Sequence, residues 1–397
     1  MVGANWNLNK EDFFDVEWLD LLKLRTSFGI GGNIAKDAAP YLTANYYTSS
    51  LVGGTYGNIS SPPNPNLRWE KTTTINAGID FSLLNNRLSG SVDVYKKKSD
   101  DLLANQMGVP TEGFGYNTLT FNNGAMENKG VELNLQGEIL ASKDFNWNAG
   151  FLFAYNKNKV TQINVEAPVY FLQLDYPQSY PVKGNSFNGI YSYKWAGLND
   201  QGEPQIYDID GEKTSADYTN MDNIHYSGTT VPKYSGSFMN SFSYKNFDLS
   251  ILLLYAGGHK LRNTNISQIN MADPYSSGIV SVTSKDIRNR WKQAGDENKT
   301  DVPRLLFSGN SSEFNYYRES IYNNADIHVL DASHIKIHNI SLAYHLPLKW
   351  CDRVKLNRAR IQFNVENLKI FAFEKKAEYM LGAKERPTFV GGVYLSF

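Results

Sequence analysis

Strict alternation of apolar and polar residues between positions 234 and 255 limits the fold of this chain more than any other feature. In the first half of the stretch the even positions are mostly aromatic, and the odd positions are mostly serine. Lys245-Asn246 then predicts a two-residue turn, after which the odd positions carry the apolar side chains. Residues that flank a two-residue hairpin turn pair with one another and share a face. Tyr244 and Phe247 satisfy this rule, so the sequence predicts a β-hairpin with one apolar and one polar face.

The same period of two recurs along the chain and predicts about twelve strands. They lie near residues 21–30, 69–84, 87–98, 128–140, 145–158, 189–198, 203–208, 233–244, 247–258, 332–346, 354–371 and 386–397. The alternation slips in phase between Ile337 and Ile340, and again between Leu356 and Ala359. An extra residue in one strand produces such a slip, so β-bulges are predicted at both places.

Alternation alone also fits a soluble sandwich whose polar faces point to water. Two further patterns favour a membrane barrel. Short turns such as Asn85-Asn86 and Asn199–Gly202 alternate with long polar connections, as periplasmic turns alternate with extracellular loops in outer-membrane barrels. Aromatic residues also occur near predicted strand ends, as in the girdles of such barrels. These residues are Trp69, Tyr95, Trp147, Tyr155, Tyr234, Tyr244, Tyr255 and Phe397. We therefore predict an all-β fold, a transmembrane antiparallel β-barrel.

Composition excludes several other classes of protein. The chain has 39 Lys+Arg and 40 Asp+Glu, a net charge of −1, which lacks the basic surface that binds nucleic acid. A single cysteine, Cys351, excludes a disulfide framework and a thiolate zinc cluster. The most apolar run, residues 251–258, is far too short for a membrane-spanning helix. Residues 1–12 contain no basic segment followed by an apolar one, so no signal peptide is recognised.

The sequence contains no recognisable catalytic or metal-binding constellation. Residues 208–212 (DIDGE) begin like a calcium-binding loop but lack the later ligands at the required spacing, which favours a tight polar turn. His334 and His338 share a strand face, but Lys336 between them favours an ordinary polar face over a metal site. We predict that the chain is not an enzyme and holds no cofactor or metal.

Strings along nearly the whole chain resemble the C-terminal portion of SusC/RagA-type TonB-linked outer-membrane receptors of Bacteroidota. They occur in the order found in that family and include NPNLRWEKTTTINAGIDFSLLNN (64–86), NNGAMENKGVELNLQGEI (122–139), VPKYSGSFMNSFSYKNFDLSILLLYAGGHKL (231–261) and RPTFVGGVYLSF (386–397). The resemblance implies a plugged barrel of about 22 strands. Residues 1–397 would supply about the last twelve of these strands, without the plug domain, the TonB box or a signal peptide.

The resemblance also implies a function and a set of partners. Intact relatives import glycans or oligopeptides through the outer membrane, driven by TonB with ExbB and ExbD and capped by a SusD-like lipoprotein. This chain would then contact outer-membrane lipid, the lipoprotein, its substrate and, through parts outside this sequence, TonB; nucleic acid is not expected. The alternative is a non-transporting product of a truncated or split gene, or a surface binding component.

Two groups of residues are candidates for specific roles. On the last predicted strand, four residues share one apolar face, and the resemblance implies that such a terminus is the signal read by the barrel-assembly machinery. They are Phe389, Val393, Leu395 and Phe397. Aromatic residues in the long connections are candidates for contact with the ligand or the lipoprotein lid, with packing inside their own loops as the alternative. They are Tyr170, Phe171, Tyr176, Tyr180, Tyr316 and Tyr317.

Overall fold

A computed structural model describes residues 1–34, 40–51, 53–61, 63–107, 118–215, 218–272, 284–308, 316–382 and 385–397. The strands in chain order are β1 (Val2–Asn7), β2 (Leu19–Asn33), β3 (Thr43–Thr48), β4 (Thr55–Ser61), β5 (Glu70–Leu83), β6 (Leu88–Met107), β7 (Thr118–Ala141), β8 (Phe145–Gln162), β9 (Gly189–Tyr193), β10 (Trp195–Leu198), β11 (Pro204–Tyr207), β12 (Lys213–Thr214), β13 (Ile224–Thr229), β14 (Tyr234–Tyr244), β15 (Phe247–Gly257), β16 (Lys260–Arg262), β17 (Asn270–Ala272), β18 (Leu306–Ser308), β19 (Val329–Asp331), β20 (His334–His345), β21 (Arg358–Ala372) and β22 (Thr388–Ser396). The α-helices are α1 (Tyr170–Asp175), α2 (Tyr316–Asn323), α3 (Leu348–Arg353) and α4 (Lys375–Gly382). None of the helices in the described ranges is long and apolar enough to cross a lipid bilayer.

Eleven strands form one antiparallel sheet in the order β1-β2-β5-β6-β7-β8-β14-β15-β20-β21-β22. Each strand pairs with the sheet strand before it and the one after it, which is the up-and-down order of barrel proteins. Within the described residues β1 and β22 are the two edges of this sheet. The predicted all-β fold is confirmed, and so is the predicted hairpin, because Tyr244 pairs with Phe247 across Lys245-Asn246.

One face of the eleven-stranded sheet is apolar from β1 to β21. A single row of paired residues shows this: Trp6, Leu24, Ile79, Val92, Leu133, Phe153, Gly236, Tyr255, Ile335 and Phe371. Ile79 and Phe371 in this row are 41% and 46% exposed. An exposed apolar surface of this extent requires an apolar environment to cover it.

The opposite face is polar, and its side chains bind one another across strands. Arg25 on β2 donates to both Asp80 oxygens at 2.8 and 2.7 Å and to Asp93 on β6 at 2.9 Å. On the same face, nearer the β22 edge, the Gln362 amide on β21 donates to the Ser341 hydroxyl on β20 at 3.0 Å. These bonds satisfy polar groups of the kind that line the inner face of a barrel, where water or protein can also reach them.

The turns at the end where the C-terminus lies are short, as predicted. Between β5 and β6, Leu84, Asn85 and Asn86 have φ values of 59°, 59° and 62°. Asparagine tolerates this left-handed region better than most residues, which explains the Asn85-Asn86 pair. The connections at residues 8–18 and 346–357 are longer, and in the second of them Leu348–Arg353 forms helix α3.

Ten of the twelve predicted strands lie in the large sheet, and two do not. Residues 189–198 and 203–208 do form strands, but these belong to small sheets: β9 pairs with β13, and β10 with β11. All five residues of β9 are buried, so it is an interior strand of a packed loop region. The Asn199–Gly202 turn therefore lies within that region. In addition, β1 was not predicted, because six residues without clear alternation give little signal.

The hairpin of β6 and β7 extends well beyond its predicted ends. The strands run to Met107 and from Thr118, so much of the predicted 99–127 loop is strand. Tyr95 is consequently in mid-strand on the polar face, and its assignment to an aromatic girdle is wrong. Its ring covers Gly130, where an added Cβ would lie 2.4 Å from the ring. The predicted strand end was set too early by the run of lysines at 96–98.

One of the two predicted bulges is confirmed. The pairing of β20 with β21 shifts register between Ile337 and Asn339. The bulge predicted between Leu356 and Ala359 is wrong, because β21 begins only at Arg358 and the preceding Lys355 has a φ of 58°. The change of phase there is caused by a turn after α3 and not by a bulge.

Candidate functional site

Residues 163–233 and 258–333 leave the same end of the large sheet, and we call their described part the loop region. It contains α1, α2 and the small sheets formed by β9–β13 and β16–β19. Its core is a cluster of buried apolar residues drawn from both connections. The cluster consists of Leu174, Tyr191, Tyr193, Ile206 and Ile321. The two connections are therefore packed as one body and hold α1 and α2 close together.

Arg318 fixes the position of α2. Its side chain is 4% exposed and donates to Glu203 at 2.7 Å, where burial lowers its pKa although Glu203 opposes this change. The same guanidinium donates to the Ile269 carbonyl at 3.0 Å and the Arg304 carbonyl at 2.7 Å. Arg304 also contacts Glu203. One buried charge thus connects α2 to three other segments, and its removal would leave Glu203 partly uncompensated.

A polar cavity of about 550 Å³ lies between α1, α2 and residues 262–268, and we call it the α1–α2 cleft. Carboxylate, amide and hydroxyl groups make up most of its lining. They include Asp175 at the end of α1, Ser267, and Glu319 and Asn323 on α2. A concave site with several converging polar groups is the common form of a ligand-binding pocket.

Arg262 lines the α1–α2 cleft but is occupied by the protein itself. It donates to the Tyr191 carbonyl at 2.5 Å, the Ser192 hydroxyl at 3.0 Å and the Asn323 carbonyl at 3.1 Å. Burial lowers its pKa to about 10. These contacts join β16 to β9 and to the end of α2, so the arginine supports the wall of the cleft.

The two carboxylates of the cleft are in a different situation. Burial raises the pKa of Asp175, and Arg262 only partly opposes this effect. Burial also raises the pKa of Glu319, while side-chain hydrogen bonds from Asn323 and Asn270 act in the opposite direction. Both shifts have the same physical cause, since removal of water disfavours the charged form of a carboxylate.

Three of the predicted aromatic candidates come together on α1 and α2, the two helices that border this cleft. The Tyr218 ring stacks on Tyr317 at 4.4 Å and meets Tyr170 edge-on at 5.4 Å. Phe171 contacts Tyr170 at 5.6 Å. We call these four rings the aromatic stack. Tyr218 was missed, because it lies in a polar connection that shows no periodicity.

The other aromatic candidates lie elsewhere. Tyr180 is buried in a separate cluster with Val165 and Ala167, so it packs within its own loop. Tyr176 follows α1 and is 58% exposed. Tyr316 begins α2, and its side chain lies outside the described residues. The 208–212 segment is a tight polar turn as predicted, since an Asp208 oxygen accepts from the Glu212 backbone N–H at 2.8 Å.

The terminal strand presents its candidates on the apolar face of the sheet. Phe389 stacks on Phe363 of the neighbouring strand at 6.2 Å. All four candidate residues of the terminus are more than half exposed. Their role in assembly remains a prediction.

Comparison with known proteins identifies the family of this chain. The family described as TonB dependent receptor-like, beta-barrel matches residues 2–368. The chain belongs to this family of TonB-dependent receptor β-barrels. TonB-dependent receptor P3 of Formosa agariphila is 28% identical over 92% of the chain, and TonB-dependent receptor SusC of Bacteroides thetaiotaomicron is 29% identical over 88%. The chain spans 36% and 34% of the length of these two relatives.

Solved structures agree with the family assignment. The structure of the RagAB peptide transporter covers the whole chain with a TM-score of 0.77 and 25% identity. The chain covers 43% of that structure. The TonB-dependent receptor barrel, SusC and RagAB were all implied by the sequence resemblance, which is thereby confirmed. The comparisons and the sheet agree that this chain is a partial barrel.

Proposed function

We propose that the chain is part of an outer-membrane receptor that imports large nutrients in a TonB-dependent manner. The eleven-stranded sheet is the observation that carries this proposal. Its apolar face suits contact with lipid and its polar face suits the lumen of a barrel. Outer-membrane barrels arrange their two faces in this way. The family assignment supports the same location and activity.

The proposed partners follow from the relatives. A SusD-like lipoprotein, the partner that the resemblance to SusC/RagA-type receptors implies, would cover the loop region. TonB with ExbB and ExbD would act through parts of the receptor outside this sequence. The substrate would be a glycan or an oligopeptide that meets the α1–α2 cleft. The cleft would bind this substrate without converting it, so the protein would not be an enzyme.

Uptake by cells tests this function. Cells that lack the gene are expected to lose uptake of a labelled fraction of oligosaccharides or oligopeptides, and cells that lack TonB are expected to lose it equally. Unchanged uptake in both strains would contradict active import. If cells still bind the labelled substrate but its uptake does not depend on TonB, the result would instead support the alternative function, a surface binding component.

We also propose that the terminal strand directs barrel assembly. Removal of Phe397 is expected to lower the amount of folded protein in the outer membrane at least several-fold, because Phe397 ends the exposed apolar row of β22. Folded and unfolded barrels are separated by their mobility in unheated gels, which gives the measurement. Ser396→Ala is the control and should leave the folded fraction unchanged. Equal folded fractions for both variants would remove the assembly role from Phe397.

A further inference from the structure

The charges of the α1–α2 cleft do not balance. Its carboxylates are Asp175 and Glu319, and within the described residues neither forms a salt bridge. Its guanidinium belongs to Arg262, which donates its hydrogen bonds to Tyr191, Ser192 and Asn323. A ligand that enters the cleft therefore meets two carboxylates and one guanidinium whose hydrogen bonds are already made within the protein, which leaves a formal excess of one negative charge.

A second feature of the cleft is independent of its charge. Ser267 lines the cavity and is completely buried, and its hydroxyl has no hydrogen-bond partner in the described part of the chain. Buried polar atoms in native proteins are nearly always paired. A polar group of a ligand that reached this hydroxyl from the 550 Å³ cavity would supply the missing hydrogen bond.

Three of the four rings of the aromatic stack lie on the same two helices as the carboxylates. Tyr170 and Asp175 are the two ends of α1, and Tyr317 is two residues before Glu319 on α2. Tyrosine rings attract cations through the negative charge of their faces. The rings, which lie near the cleft without lining it, and the carboxylates thus favour the same kind of group.

We propose that the α1–α2 cleft binds a substrate segment that carries a positively charged nitrogen, either an ammonium or a guanidinium group. Asp175 and Glu319 are the specificity-determining residues, and Ser267 pairs with a polar group of the same segment. The inference rests on the proposed import function and names its substrate preference. Two sources supply this chemistry: a Lys or Arg side chain of an oligopeptide, and the free amine of an amino sugar.

Calorimetric titration of the full chain in detergent micelles tests this preference with matched pairs. One pair is a lysine-containing tetrapeptide and its acetyl-lysine form, and the other is a glucosamine oligomer and its N-acetylated form. Each pair differs in the charge on one kind of nitrogen. In at least one pair the charged member is expected to bind about tenfold more tightly than the neutral one. The attraction between unlike charges a few ångströms apart is large enough for such a difference. The pair that responds identifies the source.

The D175N/E319Q variant and a control complete the test. The variant is expected to reduce the preference to within about twofold, because it removes both charges with little change in volume. Asp210→Asn removes an exposed carboxylate from the 208–212 turn and should leave the preference intact. Retention of the folded gel mobility by both variants shows that the comparison concerns the charge.

Three results would overturn the inference. They are equal binding of charged and neutral members, absence of binding by either pair, and a preference that survives in D175N/E319Q. The uptake measurement in cells with and without TonB is separate from all three. If uptake depends on TonB while the preference is absent, import stands and the charge preference falls.

Discussion

Replacement of Ile251 by arginine is expected to destabilise the folded barrel by about 2–4 kcal/mol, the cost of a basic residue on a lipid face near the bilayer midplane. Ile251 lies on the apolar face of β15 between Asn240 and Ile340. The apolar face accepts the neighbouring Asn240 because its side-chain oxygen is paired with the Trp147 indole at 3.0 Å. An arginine at 251 would have no such partner among the described neighbours.

Ser250 provides the matched control one residue away. It lies on the polar face between Ser241 and Ser341, where a long basic side chain meets small polar neighbours. Ser250→Arg is expected to cost less than about 1 kcal/mol, because the polar face has no hydrocarbon to disturb. Urea unfolding in lipid bilayers measures both free energies of unfolding. Equal losses for the two variants would contradict the assignment of the faces.

Replacement of Arg318 by methionine is expected to loosen α2 while leaving the large sheet intact. Removing one partner of a buried ion pair costs about 3–5 kcal/mol when the remaining charge is left unpaired. A smaller loss is expected here, because Arg304 still pairs with Glu203. The loss falls on the loop region, because Arg318 joins Glu203, Ile269 and Arg304 and contacts no strand of the large sheet in these bonds. Ligand binding in the α1–α2 cleft should weaken with it, as Glu319 is the next residue.

Hydrogen exchange resolves this effect by region. Amides of α2 and β11 are expected to lose protection in Arg318→Met, and amides of β14 and β15 are expected to keep theirs. Arg288→Met is the control, since Arg288 is an exposed arginine of the same loop region. Unchanged protection of α2 would show that its position does not depend on Arg318.

The sequence alone predicted the large sheet well, for a physical reason. Each strand there has one face in an apolar environment and one in a polar one, so Phe238 and Ser237 report their faces directly. The loop region gave no such signal. β9 is buried on both faces, and the alternation that revealed β14 is absent from it. For the same reason the sequence pattern does not separate residues 189–198 from the strands of the large sheet.

The α1–α2 cleft could be predicted only in fragments. Tyr170 and Tyr317 were candidates because aromatic residues in long polar connections are conspicuous. Asp175 and Glu319 were not, because they are 144 positions apart and acidic residues are common in loops. What unites them is the packing of two long connections around Arg318 and Arg262, and such contacts leave no periodic trace in the sequence.

Single-cysteine labelling along β14 tests the central claim most directly. Cys351 is completely buried and can be replaced by alanine to give a clean background. Cysteines at 237, 239 and 241 are expected to react with a water-soluble maleimide, and cysteines at 238 and 242 only with a probe dissolved in the lipid. Reaction of both sets with the water-soluble reagent to the same extent would contradict a membrane-facing apolar surface.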